Sequence, residues 1–259
     1  MRTCCSRLGR AVPLLLLLVS VPLSAVRPPA SPAPSALPSA RSVIDRHIEA
    51  IGGRKAVLGR SSTRAAGTIS VPSAGLTGTV EVLAAKPNKT LMRISIGGIG
   101  DIEEGFNGTV GWSLSAITGP ALLEGKQLEQ RRFDSDFFGE LHDDARYESM
   151  TTVEETEFEG RSCYKLRLVR KGGGEDFEFY DVKTGLKAGS ISTRTIPMGD
   201  VTSTTVESDY RRFGNVLTAT SITLTGMGMQ QLLKLNAVEI DSVDPSVFEP
   251  PAPIKALLK

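Results

Sequence analysis

Most of this chain is written in short runs of period two, separated by turn-forming clusters. Residues 64–71, 76–85, 90–96 and 109–115 make a first group of predicted strands, with 72–75, 86–89 and the Asn107-Gly108 pair as turns. A second group follows at 163–169, 176–180, 202–210, 217–224 and 232–240, joined by Gly-containing connections. Here the alternation is cleanest. Tyr164, Leu166 and Leu168 point one way and Lys165 and Arg167 the other, while Phe177 and Phe179 share a face across from Glu178. Ile222 shares a face with Leu224, and Leu233 with Leu235, each pair spanning one polar residue. The pattern predicts an antiparallel sheet whose strands each turn one apolar face to a common interior. Gly97, Gly98 and Gly100 follow a strand run with no helical pattern after them, and read as a bulge or kink in a strand.

Two segments break the period. Ile44, Ile48 and Ile51 recur at helical spacing, with Ser42 as the cap, Asp45 in the first turn and Gly52-Gly53 as the stop; 55–58 adds one more turn. Between the strand groups, 122–140 sets Leu122, Leu123, Leu128, Phe133, Phe137 and Phe138 among charged residues, predicting one or two amphipathic helices. Phe133 and Phe137 are four apart and share a helix face. They either complete the core or form a lid over the sheet. The fold class predicted is mainly β with helices (α+β).

The N-terminus changes the picture of where such a domain works. Arg2, Arg7 and Arg10 precede an apolar run with five consecutive leucines at 14–18 and small residues at Ser24 and Ala25, the layout of a signal peptide over residues 1–25. An uncleaved tether is the alternative, although Pro13 and Pro22 interrupt the run and it falls short of the ~20 apolar residues a spanning helix needs. Cys4 and Cys5 precede the run, so neither is the lipid-bearing cysteine that follows a lipoprotein signal. Residues 26–40 are a Pro/Ala/Ser-rich linker that cannot bury enough apolar surface to fold. Residues 41–259 are expected to form one domain. It carries 26 Lys+Arg against 29 Asp+Glu, about −3, so it has no basic footprint for nucleic acid. Cys163 is its only cysteine, either a small apolar strand residue or a reactive thiol.

Catalytic patterns are missing. No Cys-x-x-Cys occurs, the two histidines stand far apart, and Trp112-Ser113-Leu114 does not form a nucleophile elbow. His47 falls beside Ile44 and Ile51 on the helix wheel and reads as an edge-of-core histidine. Asp143-Asp144 and Glu154-Glu155 are consecutive, which on a strand sends them to opposite faces. The expectation is a protein that is not an enzyme and needs no cofactor.

The stretches HIEAIGG (47–53), FNGTVGW (106–112), GPALLEG (119–125), FEGRSCYKLRL (158–168), FYDVKTGL (179–186), SDYRRFGNVL (208–217) and DPSVFEPP (244–251) occur in this order. Together they resemble the outer-membrane lipoprotein-sorting protein family, the LolA-like superfamily of periplasmic lipoprotein and lipid carriers. The resemblance implies an incomplete, curved antiparallel β-barrel closed by helices, with an apolar cavity between sheet and helices that accepts acyl chains. Thr218 stands where many relatives have proline, and no lid-latching arginine aligns, so fold and ligand class carry over and no individual functional residue does.

The function this implies is an exported periplasmic carrier for a lipid or lipoprotein acyl chain, exchanging it with envelope membrane-protein donors and acceptors. At ~0.8 kcal/mol per buried methylene, a chain of ~16 carbons supplies about 12 kcal/mol before ordering costs. The alternation nominates Leu166, Leu168, Phe177, Phe179, Ile222, Leu224, Leu233 and Leu235 as cavity lining and Phe133 and Phe137 as lid. The same residues would equally describe a solid core. A non-catalytic periplasmic structural or protein-interaction module on the same fold is the other reading.

Overall fold

Strand residues that alternate pair into one sheet, and the two helical segments lie against it. The computed structural model describes residues 36–196 and 198–259, with Leu37–Lys259 as one compact unit. The expected signal peptide and residues 26–35 of the linker lie outside the described residues.

The chain enters through α1 (Ala40–Ile51) and a short α2 (Arg54–Leu58). A first meander follows: β1 (Ser62–Val71), β2 (Leu76–Ala85), β3 (Lys89–Ile96), β4 (Gly100–Phe106), β5 (Gly111–Ser115) and β6 (Gly119–Leu122). After α3 (Gly125–Asp134) comes a second: β7 (Tyr147–Phe158), β8 (Arg161–Arg170), β9 (Glu175–Asp181), β10 (Lys187–Ile196), β11 (Gly199–Phe213), β12 (Val216–Gly226) and β13 (Met229–Ile240). A short α4 (Ala252–Lys255) lies near the C-terminus.

The strands form a single curved 13-stranded sheet in the order β6-β5-β4-β3-β2-β1-β13-β12-β11-β10-β9-β8-β7. Every pairing is antiparallel, and β1 pairs with β13, so the two meanders are joined at their first and last strands. β6 and β7 remain edges, and the barrel is therefore not closed.

Local differences from the sequence expectation have physical causes. Helix α1 begins earlier than Ser42, because the side chain of Ser39 accepts the Ser42 N–H at 3.2 Å and caps the first turn. Gly97 and Gly98 lie in the turn of a complete hairpin between β3 and β4 rather than kinking one strand. Within 122–140 only Gly125–Asp134 is α-helical, followed by a 3-10 turn at Gly139–Leu141, so Phe137 lies beyond the helix that carries Phe133.

The face covered by α1 and α3, called inner here, packs Val43, Ile44, Ile48 and Ile51 of α1 onto Leu166, Leu168, Tyr180 and Val216. Parts of the outer face are buried as well. Phe248 and Ile254 near the C-terminus cover Leu83, Leu91 and Trp112. The Trp112 ring lies over Gly105, whose missing side chain is what makes room for it. Beside this cluster a polar ladder crosses six neighbouring strands, from Glu239 through Arg64, Glu81, Arg93 and Glu103 to the Trp112 Nε1–H. Burial opposes charge on Glu81, but hydrogen bonds from Arg64 and Arg93 hold its carboxyl below the ordinary range. No helix among the described residues is long and apolar enough to cross a membrane.

Candidate binding site

Antiparallel partners carry their side chains on the same face, so the pairing register shows which residues meet. On the inner face Ile222 of β12 pairs with Leu233 of β13, Leu233 with Ile69, Ile69 with Gly78, and Gly78 with Ile96. A second row runs from Leu235 through Gly67, Val80 and Ile94 to Ile102. Ile69, Val80 and Ile96 are buried with Val82, Met92, Ile94 and Leu233 around them, in a cluster without a helical member. Each row crosses five strands, and together they make an apolar strip.

The strip has a charged neighbour. Glu207 of β11 pairs with Ile222, and its carboxylate faces Lys187 Nζ at 3.6 Å and accepts the Tyr210 hydroxyl at 3.0 Å. Lys187 donates at 2.8 Å to Glu178, which also accepts the Tyr180 hydroxyl at 2.5 Å and faces His142 Nε2 at 2.8 Å. His142 Nδ1 faces the Glu140 carbonyl at 3.0 Å, so both ring nitrogens meet oxygen acceptors. His47 reaches the same cluster from α1, its Nδ1 on the Gly185 carbonyl at 3.2 Å and its ring edge-on to Tyr180. Two histidines far apart in sequence thus join one cluster, His47 against Tyr180 and His142 stacked on Tyr147.

Burial governs the electrostatics and the partners reverse it where charges pair. Burial would raise the Glu178 pKa, but Lys187 and His142 hold the carboxyl well below its ordinary value. Burial likewise opposes the Lys187 charge, which Glu178 and Glu207 restore, raising its pKa above the ordinary value. Tyr180 has only opposing influences: burial and then Glu178 raise its hydroxyl well above the usual range. Tyr147 is pushed up to about 12 by burial first and Glu178 second. The cluster therefore keeps fixed charges and neutral phenols at neutral pH, and each charge is already paired.

This network lines a cavity of about 440 Å³ between the inner face and the segment after α3. Arg60, Arg146, Lys187 and Arg194 contribute positive charge to its wall, and Asp134, Asp136, Glu140, Asp176 and Glu178 negative charge. Helix α3 is tied across it. Gln130 exchanges two hydrogen bonds with the Thr195 backbone at 2.9 and 3.1 Å, Asp134 takes Arg194 at 3.1 Å through two nitrogens, and Arg131 pairs with Glu104 of β4. A larger groove, about 720 Å³, lies on the outer face along the polar ladder, where Arg64, Glu81, Arg93 and Glu103 are tied to one another. Among the described residues no group of three or more His, Cys, Asp or Glu is placed to hold a metal ion.

The nominated residues separate into four sets. Ile222, Leu224, Leu233 and Leu235 lie together on the inner strip. Leu166 and Leu168 share that face but are 0% and 1% exposed, packed into the core with α1. Phe177 and Phe179 face outward: β8 pairs with β9 so that Leu166 meets Glu178 and Arg167 meets Phe177. Phe179 stacks on Phe158 at 4.0 Å beside Cys163, which is buried. Phe133 and Phe137 both line the polar cavity, with the Arg146 guanidinium 4.1 Å above the Phe133 ring. Sequence reasoning passed over Glu178, Lys187 and His142. The signal was present in Asp176, Glu178 and Tyr180, three polar residues at period two on the face opposite the phenylalanines.

No protein-family model matches the chain, and no curated protein matches it in sequence. Solved structures do match. A DUF1329 family protein from Desulfovibrio piger superposes with a TM-score of 0.55 at 12% identity, over 81% of this chain and 97% of that one. A LolA superfamily protein from Nitrosomonas europaea gives 0.55 at 12% identity, over 83% and 99%. A domain from Vibrio parahaemolyticus assigned to the outer membrane lipoprotein-sorting proteins gives 0.52 at 12% identity, over 85% and 99%. At that identity the likeness is one of fold. The chain has the LolA-like fold.

Proposed function

We propose that this protein is an exported, non-catalytic carrier of an amphiphile, a lipid or the acylated end of a lipoprotein, working in the periplasm. The observation that carries the reading is the contact, in register, between the apolar strip beginning at Ile222 and the charged network beginning at Glu207. The acyl chain lies along Ile222, Leu233, Ile69 and Ile96, and the polar end meets the cavity walled by Lys187 and Arg194. Five strands ~4.8 Å apart give the strip a length on the order of 20 Å, that of an extended long acyl chain. The assignment of the Vibrio parahaemolyticus domain to lipoprotein sorting supports the same ligand class. Residues 1–25 direct export. The donors and acceptors are envelope membrane proteins.

Native mass spectrometry of the chain isolated from a bacterial envelope, followed by lipid extraction, tests this. The expected result is a co-purifying lipid or acylated peptide that disappears in Leu233→Glu with the fold retained by circular dichroism. An unliganded mass, with no uptake of added fluorescent fatty acid, would refute the carrier. A protein-interaction module would then be the better reading, favoured by the solid packing of Leu166 and Leu168 under α1.

A further inference from the structure

The two ends of the sheet differ in chemistry. Six hairpins turn at one end, and five of them, β5–β6, β3–β4, β1–β2, β12–β13 and β10–β11, have no charged residue between their strands. They follow one another along the rim because their strands are neighbours in the sheet. Their tips carry Ile117, Met198, Met227 and Met229, which are 72%, 76%, 55% and 45% exposed. The run ends at β8–β9, where Lys171 stands. The opposite end is charged, with Lys86, Glu159 and Lys183 in its turns.

Exposed methionine and isoleucine on three of the five tips would be a solubility liability facing water, and charge is the usual remedy. Its exclusion from five successive tips on one end only is a coherent surface. We propose that this rim docks on a lipid bilayer, with the tips entering the interfacial layer. A shallow depth follows from Asp101 and Asp200, which stand one residue behind the glycines that open β4 and β11. No tip in the run carries lysine or arginine, so the contact is apolar and independent of anionic lipid. The inner strip reaches the same rim, since Ile96 closes β3 there. Docking needs no cargo, and cargo binding in solution needs no docking, so the two readings fail separately.

The test introduces tryptophan at one rim or the other in the full chain and adds phosphatidylcholine vesicles with brominated acyl chains. Trp112 is fully buried and serves as the internal reference. Met227→Trp emission is expected to be quenched equally at low and high salt, and Lys183→Trp emission to be unaffected. Adding Ile117→Asp and Met198→Asp to the Met227→Trp chain is expected to abolish the quenching with unchanged circular dichroism. This comparison holds even if the N-terminal apolar segment brings the chain to the vesicle. Equal quenching at both rims, its loss in high salt, or no quenching at Met227→Trp overturns the proposal. In the last case the apolar tips belong to a protein partner instead.

Discussion

Glu178 is the residue on which the inner polar network turns, because three side chains direct hydrogen at its two oxygens. Removing its charge leaves Lys187 buried with a single, longer contact to Glu207. Glu178→Gln is therefore expected to destabilise the fold by about 3–5 kcal/mol, the cost of orphaning a buried charge, as read by urea unfolding at pH 7. His47 gives the molecule an acid-side dependence. Burial first, and Lys187 second, lower its pKa from 6.5 to about 4. Between those values the unfolded chain binds a proton that the folded chain refuses, so stability falls as pH drops through that window, by up to about 3 kcal/mol. In His47→Asn, which keeps a donor for the Gly185 carbonyl, unfolding measured at pH 7, 5.5 and 4 should show that part of the loss removed. An unchanged profile would assign the acid loss to other groups. Neither role was legible in the sequence. His47 showed only its place beside Ile44 and Ile51, and Glu178 was taken to lie outside because Phe177 and Phe179 were taken to lie inside. A choice of parity by one residue exchanges the two faces.

At the level of elements, α3 is held differently from α1. Five apolar residues of α1 are buried, whereas no residue of α3 is, and α3 is held by polar bonds together with the half-buried Phe133 at its last turn. Half-buried ion pairs of this kind are each worth about 1 kcal/mol or less, so α3 should open locally at little cost to the whole. In the double variant Gln130→Ala, Asp134→Ala, amide exchange should speed up across Gly125–Asp134 while the unfolding free energy changes by less than about 1 kcal/mol. Cooperative loss of both would show that α3 belongs to the core. The strands visible in sequence were those with one apolar and one polar face. β4, β6, β7 and β10 escaped notice for a shared reason. β4 carries Glu103 for the outer ladder and Glu104 for α3 on opposite faces, and β10 turns Ser190, Ser192 and Arg194 to the cavity. β7 is an edge bearing Glu148, Glu154, Glu155 and Glu157, and β6 is a four-residue edge containing Pro120. Edges and polar-cavity walls erase the alternation that marks a half-buried strand.

For the whole molecule, the antiparallel class, the opening helix and the resemblance of ordered short stretches to the lipoprotein-sorting proteins were all legible, and the LolA-like fold agrees with them. What the sequence withheld was long-range order, above all that β1 and β13 are neighbours. That adjacency sets a timetable. Each meander contains only pairings between consecutive strands and can assemble as its residues arrive, but the seam between them waits for the last strand. Until then the edge of β1 that will receive β13 is bare, through synthesis of everything from β2 to β12. A chain that crosses a membrane N-terminus first would carry this unpaired edge, with Ile69 at its inner face, for the whole of its transit, an exposure of the kind that draws chaperones or wrong partners.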